Sequence, residues 1–282
     1  MYRSLLFVPA DDDKRVAHVH ERGADGVILD LEDAVAPEAK DKARAGVRAT
    51  AEALGAKGAV VFVRINAPWR TALADLDAVL GPAVTGVIAP KVRDAAQART
   101  MGEMLRECEA AHGVDAGATQ LIALIESVAG VHNAMAIAGV ANVSGLALGS
   151  EDFCAEVGVA PGGGVLDLPC KLLALAAASR GLMALGVPIS IGAFRDTDAY
   201  RAAIAQARAI GMNGALCIHP AQVEIANAGF TPGVTELAQA RAIVAAFMTA
   251  QAAGRAVTSL DGRMIDAPVV AQARRVIAQG SH

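Results

Sequence analysis

The chain has 282 residues, a formal net charge of −4 and 54% apolar residues. This supplies core for one large or two small domains, and the lack of a basic excess argues against a nucleic-acid surface. Aromatics are scarce at 3% and alanine is plentiful, which favours close-packed helices over a strand-rich sandwich.

Short β-branched runs predict strands over 4–9, 26–32, 59–66, 86–91, 120–127, 143–149, 187–193 and 214–219. Alanine-rich stretches of helical period lie between them, such as Pro37 to Leu54, where Pro37 suits a first turn and Ala39, Ala43, Val47 and Leu54 share a face. Eight strands alternating with helices predict an α/β fold, a closed TIM (β/α)8 barrel of about 250 residues. The pattern changes after the eighth strand. A helix over 235–253 is followed by Gly254, a polar stretch from Asp261 to Pro268 and a short last helix. The expected division is a barrel over 1–230 and a helical extension over 231–282, whose turn-rich part suits a lid.

Barrel chemistry gathers at the C-terminal strand ends, and these ends are rich in charge. Asp30, Glu32 and Asp33 end the second strand, Arg64 and Asn66 the third, Lys91 the fourth and Glu126 the fifth; Glu151 and Asp152 follow the sixth, and His219 ends the eighth. A carboxylate closing an apolar strand needs solvation, a partner or a metal. Glu126 and Asp152 are read as ligands of a divalent cation, Mg²⁺ with Mn²⁺ as the alternative, over a simple pair of solvated carboxylates. Arg64 can grip a carboxylate or carbonyl oxygen, or pair with the acids of strand two. Those acids orient metal waters or Arg64, or form a purely structural ion network. Lys91 reads as an electrostatic partner before a Schiff-base amine, and His219 as a structural histidine before an acid or base.

Lys14 and Arg15 follow strand one, where they either meet a ligand phosphate or sit exposed on a first helix. The glycines after Pro161, Gly162 to Gly164, lack the strand-then-helix setting of a dinucleotide loop. Cys108, Cys154, Cys170 and Cys217 show neither disulfide-framework nor zinc spacing. Asn142-Val143-Ser144 is read as a chance sequon. The apolar run Leu5 to Val8 is short for a secretory signal and no run reaches membrane-span length, so a cytoplasmic protein without membrane contact is expected.

Arg3-Ser4-Leu5-Leu6-Phe7-Val8-Pro9, Leu29-Asp30-Leu31-Glu32-Asp33, Val63-Arg64-Ile65-Asn66, Pro90-Lys91, Ile125-Glu126-Ser127, Gly149-Ser150-Glu151-Asp152-Phe153 and Ile218-His219-Pro220 together resemble the citrate lyase β-subunit-like group of the HpcH/HpaI aldolase superfamily. The resemblance runs nearly end to end. It implies a Mg²⁺-dependent TIM barrel, assembled as a homotrimer or hexamer, acting on a CoA thioester. It further implies Glu126 and Asp152 as metal ligands, Arg64 on the substrate oxygens, and backbone amides around Gly149, Ser150 and Glu151 on the substrate carboxylate. Lys14 and Arg15 would lie toward CoA. Asp266, with Asp261 as fallback, would be a lid aspartate supplied to the adjacent subunit.

The activity so implied is reversible cleavage of a short carboxylated 3-hydroxyacyl-CoA, such as malyl-CoA, citramalyl-CoA or citryl-CoA, to acetyl-CoA and a 2-oxo acid. The alternatives are a CoA-independent class II aldolase of 4-hydroxy-2-oxo acids, an acyl-CoA thioesterase, or a non-catalytic acyl-binding subunit of a larger lyase.

Overall fold

The computed structural model describes residues 2–162 and 164–280, so Gly163 of the glycine loop lies outside the described residues. Eight parallel strands form one sheet: β1 (Ser4–Pro9), β2 (Gly26–Asp30), β3 (Val61–Arg64), β4 (Gly86–Ala89), β5 (Gln120–Ile125), β6 (Val143–Leu148), β7 (Met183–Leu185) and β8 (Ala215–Cys217). Their order is β7-β6-β5-β4-β3-β2-β1-β8. A bridge between Leu185 and Gly214 joins the two ends, and the Gly186 amide donates to the Gly214 carbonyl at 2.9 Å. The sheet is a TIM barrel.

The helices of this part are α1 (Asp13–Val19), α2 (Lys40–Gly55), α3 (Trp69–Val79), α4 (Ala95–Ala111), α5 (Val128–His132), α6 (Ala134–Ala138), α7 (Ser150–Val157), α8 (Asp167–Ala178), α9 (Thr197–Ala209) and α10 (Pro220–Phe230). Strand alternation divides the core in two. Leu5, Ile28, Phe62, Ile88, Ile122, Leu124 and Leu216 fill the barrel interior. Their alternates Leu6, Val27, Leu29, Val63 and Ala123 join a larger outer core with helix residues such as Val47 and Leu54 of α2. Strands apolar on both faces are what a parallel sheet covered by helices requires.

The seventh strand differs from the sequence expectation. It is Met183–Leu185, not 187–193. The β-branched run from Val187 to Ile191 carries Pro188, which has no amide proton for a ladder, and Gly186 before it takes φ 149°. The true strand comes four residues after the alanine-rich α8 and is easily read as its continuation. The first strand matches its expected range, and at β2 to β6 and β8 the expected ranges overrun the observed C-terminal ends into the loops that carry most of the charge.

By its contacts the chain forms two compact units, Met1–Phe230 and Thr231–His282. The second contains α11 (Val234–Ala252), an antiparallel hairpin of β9 (Thr258–Leu260) and β10 (Arg263–Ile265), and α12 (Ala267–Gln279). Phe247, Ile265 and Val270 form its own small core. The hairpin was expected only as a polar turn. Asp261 and Gly262 turn it with φ 50° and 76°, the left-handed pair that an Asp-Gly two-residue loop supplies. Among the described residues no helix is long and apolar enough to cross a membrane. The four cysteines are free and buried.

Candidate active site at the C-terminal end of the barrel

The inward register that places Ile28, Phe62 and Leu124 in the barrel interior continues one step further to Asp30, Arg64 and Glu126. The apolar interior therefore ends in a charged layer. Above it opens a cavity of about 350 Å³, whose lining includes Asp30, Asp33, Arg64, Glu126, Glu151 and Asp152.

Arg64 is the centre of one half. Its Nε and Nη2 donate to the two carboxylate oxygens of Asp30 at 2.7 and 2.6 Å, and its guanidinium lies 4.9 Å from the centre of the Phe7 ring. Nη1 points to Glu32 at 3.1 Å and Asp33 at 3.7 Å. Burial works against the charge, but the hydrogen bonds and charge of Asp30, with Glu32 and Asp33, hold the guanidinium above its usual range. Asp30 also accepts the amides of Glu32 and Ala34 at 2.9 and 3.1 Å. The structural pairing of Arg64 is thus real, and the Nη1 edge is the part left to face a ligand.

Glu32 is 4% exposed and sits 3.2 Å from the Lys91 ammonium, yet neither of its oxygens takes a well-directed hydrogen bond. Burial raises its pKa, against the pull of Arg64. For Lys91, burial lowers the pKa, but Glu32, with Asp33 and Asp152, outweighs it and keeps the amine above its ordinary value. That is the opposite of what a Schiff-base amine needs.

Glu126 is the centre of the other half. It is 5% exposed, and its Oε2 accepts the Lys91 amide at 2.9 Å, an approach made with Lys91 at φ 57°. Burial, followed by the charges of Glu32 and Asp152, pushes its carboxyl up to about 8. A cation beside it would reverse that balance. Gly149 packs so closely that a Cβ there would overlap the Glu126 side chain. From Gly149, which offers no side-chain cap, α7 starts at the cavity with Ser150, Glu151 and Asp152 in its first turn. Glu151 is tied to the β7 side, accepting from Ser190 Oγ at 2.7 Å. Among the described residues no three acidic, His or Cys side chains form an all-protein cage. Glu126 and Asp152, two hard-oxygen donors with an unsatisfied Glu32 nearby, suit a divalent cation that keeps positions for water and substrate.

Other predicted residues are placed elsewhere. Lys14 and Arg15 lie exposed on α1 and do not line the cavity, and Arg15 pairs with Asp12 at 3.2 Å. His219 is exposed, stacked on Phe194 at 4.7 Å, and its Nδ1 accepts the Ala221 amide at 3.2 Å. Asp266 belongs to the second unit, where it caps α12 by accepting the Val269 amide at 3.2 Å.

A supporting network escaped the sequence reading. Lys40 Nζ donates to the carbonyls of Leu31 and Glu32 at 3.0 and 2.8 Å and to Asn66 Oδ1 at 2.6 Å. Asn66 Nδ2 donates to the Leu31 carbonyl and to Asp75, and Asp75 is held by Arg44 Nε at 2.6 Å. Asp75 was findable, being an acid on the buried face of α3 between Ala72, Leu76 and Val79. Lys40 was not; it reads as an ordinary surface lysine.

The family model described as HpcH/HpaI aldolase/citrate lyase matches residues 3–220. A citrate lyase subunit beta-like protein of Deinococcus radiodurans is 36% identical, covering 99% of this chain and 97% of the relative. A (3S)-malyl-CoA thioesterase of Cereibacter sphaeroides is 31% identical over 99% of this chain and 94% of its own. The crystal structure of protein CitE from Mycobacterium tuberculosis, in complex with magnesium, acetoacetate and coenzyme A, superposes with a TM-score of 0.77 at 29% identity, covering 99% of this chain and 98% of that one. A barrel with its charged layer at the C-terminal strand ends, matched end to end by these relatives, belongs to the HpcH/HpaI aldolase/citrate lyase family.

Proposed function

We propose that the protein is a Mg²⁺-dependent carbon–carbon lyase that cleaves, or forms, a short carboxylated 3-hydroxyacyl-CoA, giving acetyl-CoA and a 2-oxo acid. The observation that carries this reading is the placement of the buried Glu126 carboxylate, Asp152 and Arg64 on the wall of one cavity at the C-terminal end of the barrel. The relative crystallised with magnesium and coenzyme A supports both partners. Mn²⁺ satisfies the same oxygen donors.

In this reading Glu126 and Asp152 hold the cation, whose chemistry is Lewis-acid polarisation of the substrate's hydroxyl and carboxylate oxygens. The amides at the start of α7, from Gly149 to Glu151, hold the carboxylate. Asp33, least engaged of the acids around Arg64 at 3.7 Å, takes the hydroxyl proton. The oxygen lone pair closes the new carbonyl, the C2–C3 bond breaks, and its electrons pass to the thioester as an enolate. Arg64, kept in place by Asp30 and Glu32, shares the charge on the oxo acid. Asp266 from a neighbouring copy in a homotrimer or hexamer protonates the enolate carbon to complete acetyl-CoA. Lys14 and Arg15 stand toward the CoA phosphates. The setting proposed is cytoplasmic.

The test is acetyl-CoA release by the purified chain from malyl-CoA, citramalyl-CoA and citryl-CoA, with Mg²⁺ and with EDTA. Release that vanishes with EDTA supports the lyase, and no release from any of the three overturns it. The relative named as a malyl-CoA thioesterase favours a second reading, in which water attacks the thioester; release of free CoA in place of acetyl-CoA would select it.

A further inference from the structure

The cavity wall is divided by strand. The β2-to-β6 arc supplies every charged group among the described lining residues: Asp30, Asp33, Glu126, Glu151 and Asp152 against the single guanidinium of Arg64. The three strands β7, β8 and β1 are consecutive round the barrel. With the loops that follow them they contribute Phe7, Gly186, Val187, Ile191, Leu216 and Ile218, and no charge.

The backbone amides of this arc at Ile191 and Ile218 are also engaged. Gln222 is 1% exposed, and its Oε1 accepts the amides of Ile218 and His219 at 2.9 and 3.1 Å, while its Nε2 donates to the Ile191 carbonyl at 2.9 Å. The Ile191 amide points to Ser150 Oγ at 3.4 Å, and Ser190 Oγ is given to Glu151. A carboxylate brought against the arc would lose its water and find neither a cation nor an amide at Ile191 or Ile218. Turned the other way, it would face Asp30, Asp33 and Glu151 and compete with the first carboxylate for the cation and for the Nη1 edge of Arg64, while Lys91 is engaged by Glu32.

From this division we infer that the oxo-acid half of the substrate carries one carboxylate, the one directed to the cation, and a small apolar substituent that packs on the β7–β8–β1 arc. The favoured product is then of the pyruvate type, not of the oxaloacetate type. The inference rests on the lyase reading for its substrate class, while the apolar arc is a property of the cavity itself. Burying a methyl on apolar surface while leaving no site for a second carboxylate makes the discrimination one-sided.

Two measurements on the full purified chain with Mg²⁺ test it. The first is calorimetric binding of pyruvate, 2-oxobutyrate, glyoxylate and oxaloacetate. Pyruvate is expected to bind at least about tenfold more tightly than oxaloacetate, and equal or tighter binding of oxaloacetate overturns the inference. The second is kcat/KM for citramalyl-CoA against citryl-CoA, where a preference for citryl-CoA overturns it. If no thioester is cleaved but pyruvate is still preferred, the lyase reading fails and the assignment of the arc stands. Ile218→Arg places a cation on the arc at a position 42% exposed, where the fold tolerates it. It is expected to narrow the pyruvate-to-oxaloacetate ratio about tenfold or more, and an unchanged ratio would show that the arc does not contact the substituent.

Discussion

Glu126 carries a stability cost that a bound cation would relieve. Its folded pKa, about 8, lies above the ordinary 4.5. The folded chain therefore holds that proton more tightly than the unfolded one, and the metal-free protein loses stability as pH rises from about 4.5 to about 8. Glu126→Gln keeps an acceptor for the Lys91 amide and removes the charge. Thermal melts at pH 9 are expected to show the metal-free variant several degrees more stable than the parent. Mg²⁺ is expected to raise the Tm of the parent, and to do so less or not at all in the variant. A variant no more stable than the parent at pH 9 would remove the burial argument for this carboxylate. Residues of this kind were legible in the sequence because each breaks a rule: Glu126 ends Leu121-Ile122-Ala123-Leu124-Ile125, and Arg64 ends Val60-Val61-Phe62-Val63. The acids of strand two were candidate partners of Arg64; what could not be read was which of them takes the bidentate contact, or that Glu126 would accept the Lys91 amide. That Arg64 gives two of its nitrogens to Asp30 depends on the side-by-side register of β2 and β3, Asp30 against Arg64.

Elements show where local patterns stop being sufficient. Six of the strand runs that precede the β7 region were legible because they are apolar on both faces, and the eighth because it is brief but bounded by Gly214 and Pro220. The seventh was displaced because three residues after a long alanine-rich helix carry too little pattern to stand out. The network of Lys40, Asn66 and Asp75 is likewise an agreement among elements, since it ties α2 and α3 to the segments that follow β2 and β3. Lys40→Met would strip hydrogen bonds from the Leu31 and Glu32 carbonyls and loosen the loop that orients Glu32 beside Arg64. We expect kcat to fall about tenfold or more through misplacement of those groups, with KM for the thioester nearly unchanged. A change in KM alone would assign Lys40 to substrate binding.

At the scale of the molecule, the order of strands and helices was readable from alternation, and the hairpin of the second unit was not, although Asp261-Gly262 signalled it. Long-range ties such as Arg3 to Asp25 were also invisible. Asp25 accepts the Arg3 amide, Nε and Nη2 at 2.8, 2.8 and 2.6 Å, which binds the approach to β1 to the approach to β2. Burial raises the Asp25 pKa, but Arg3 outweighs it and holds the carboxyl below its usual 3.8. The stabilisation is therefore present above that value and lost as pH falls through the lower folded one. Asp25→Asn should cost about 1 kcal/mol at neutral pH, after allowance for the solvent exposure of Arg3, and give a shallower loss of stability below about pH 4. Denaturant unfolding at both pH values would check this, and parallel acid limbs for variant and parent would count against it.

The junction of β7 and β8 has a kinetic meaning. Neighbouring pairs such as β5 and β6 share a ladder five residues long, whereas among the described residues β7 meets the approach to β8 only over Ala184 to Gly186, through the Leu185 and Gly214 bridge, the Gly186 amide on Gly214 and the paired contacts of Ala184 with Asn213. Deuterium should therefore reach the amides along this line sooner than those of β2 or β5. The barrel is a ring with a clasp, and the clasp lies on its uncharged side. Opening there would let the barrel breathe without separating the carboxylates on the opposite arc.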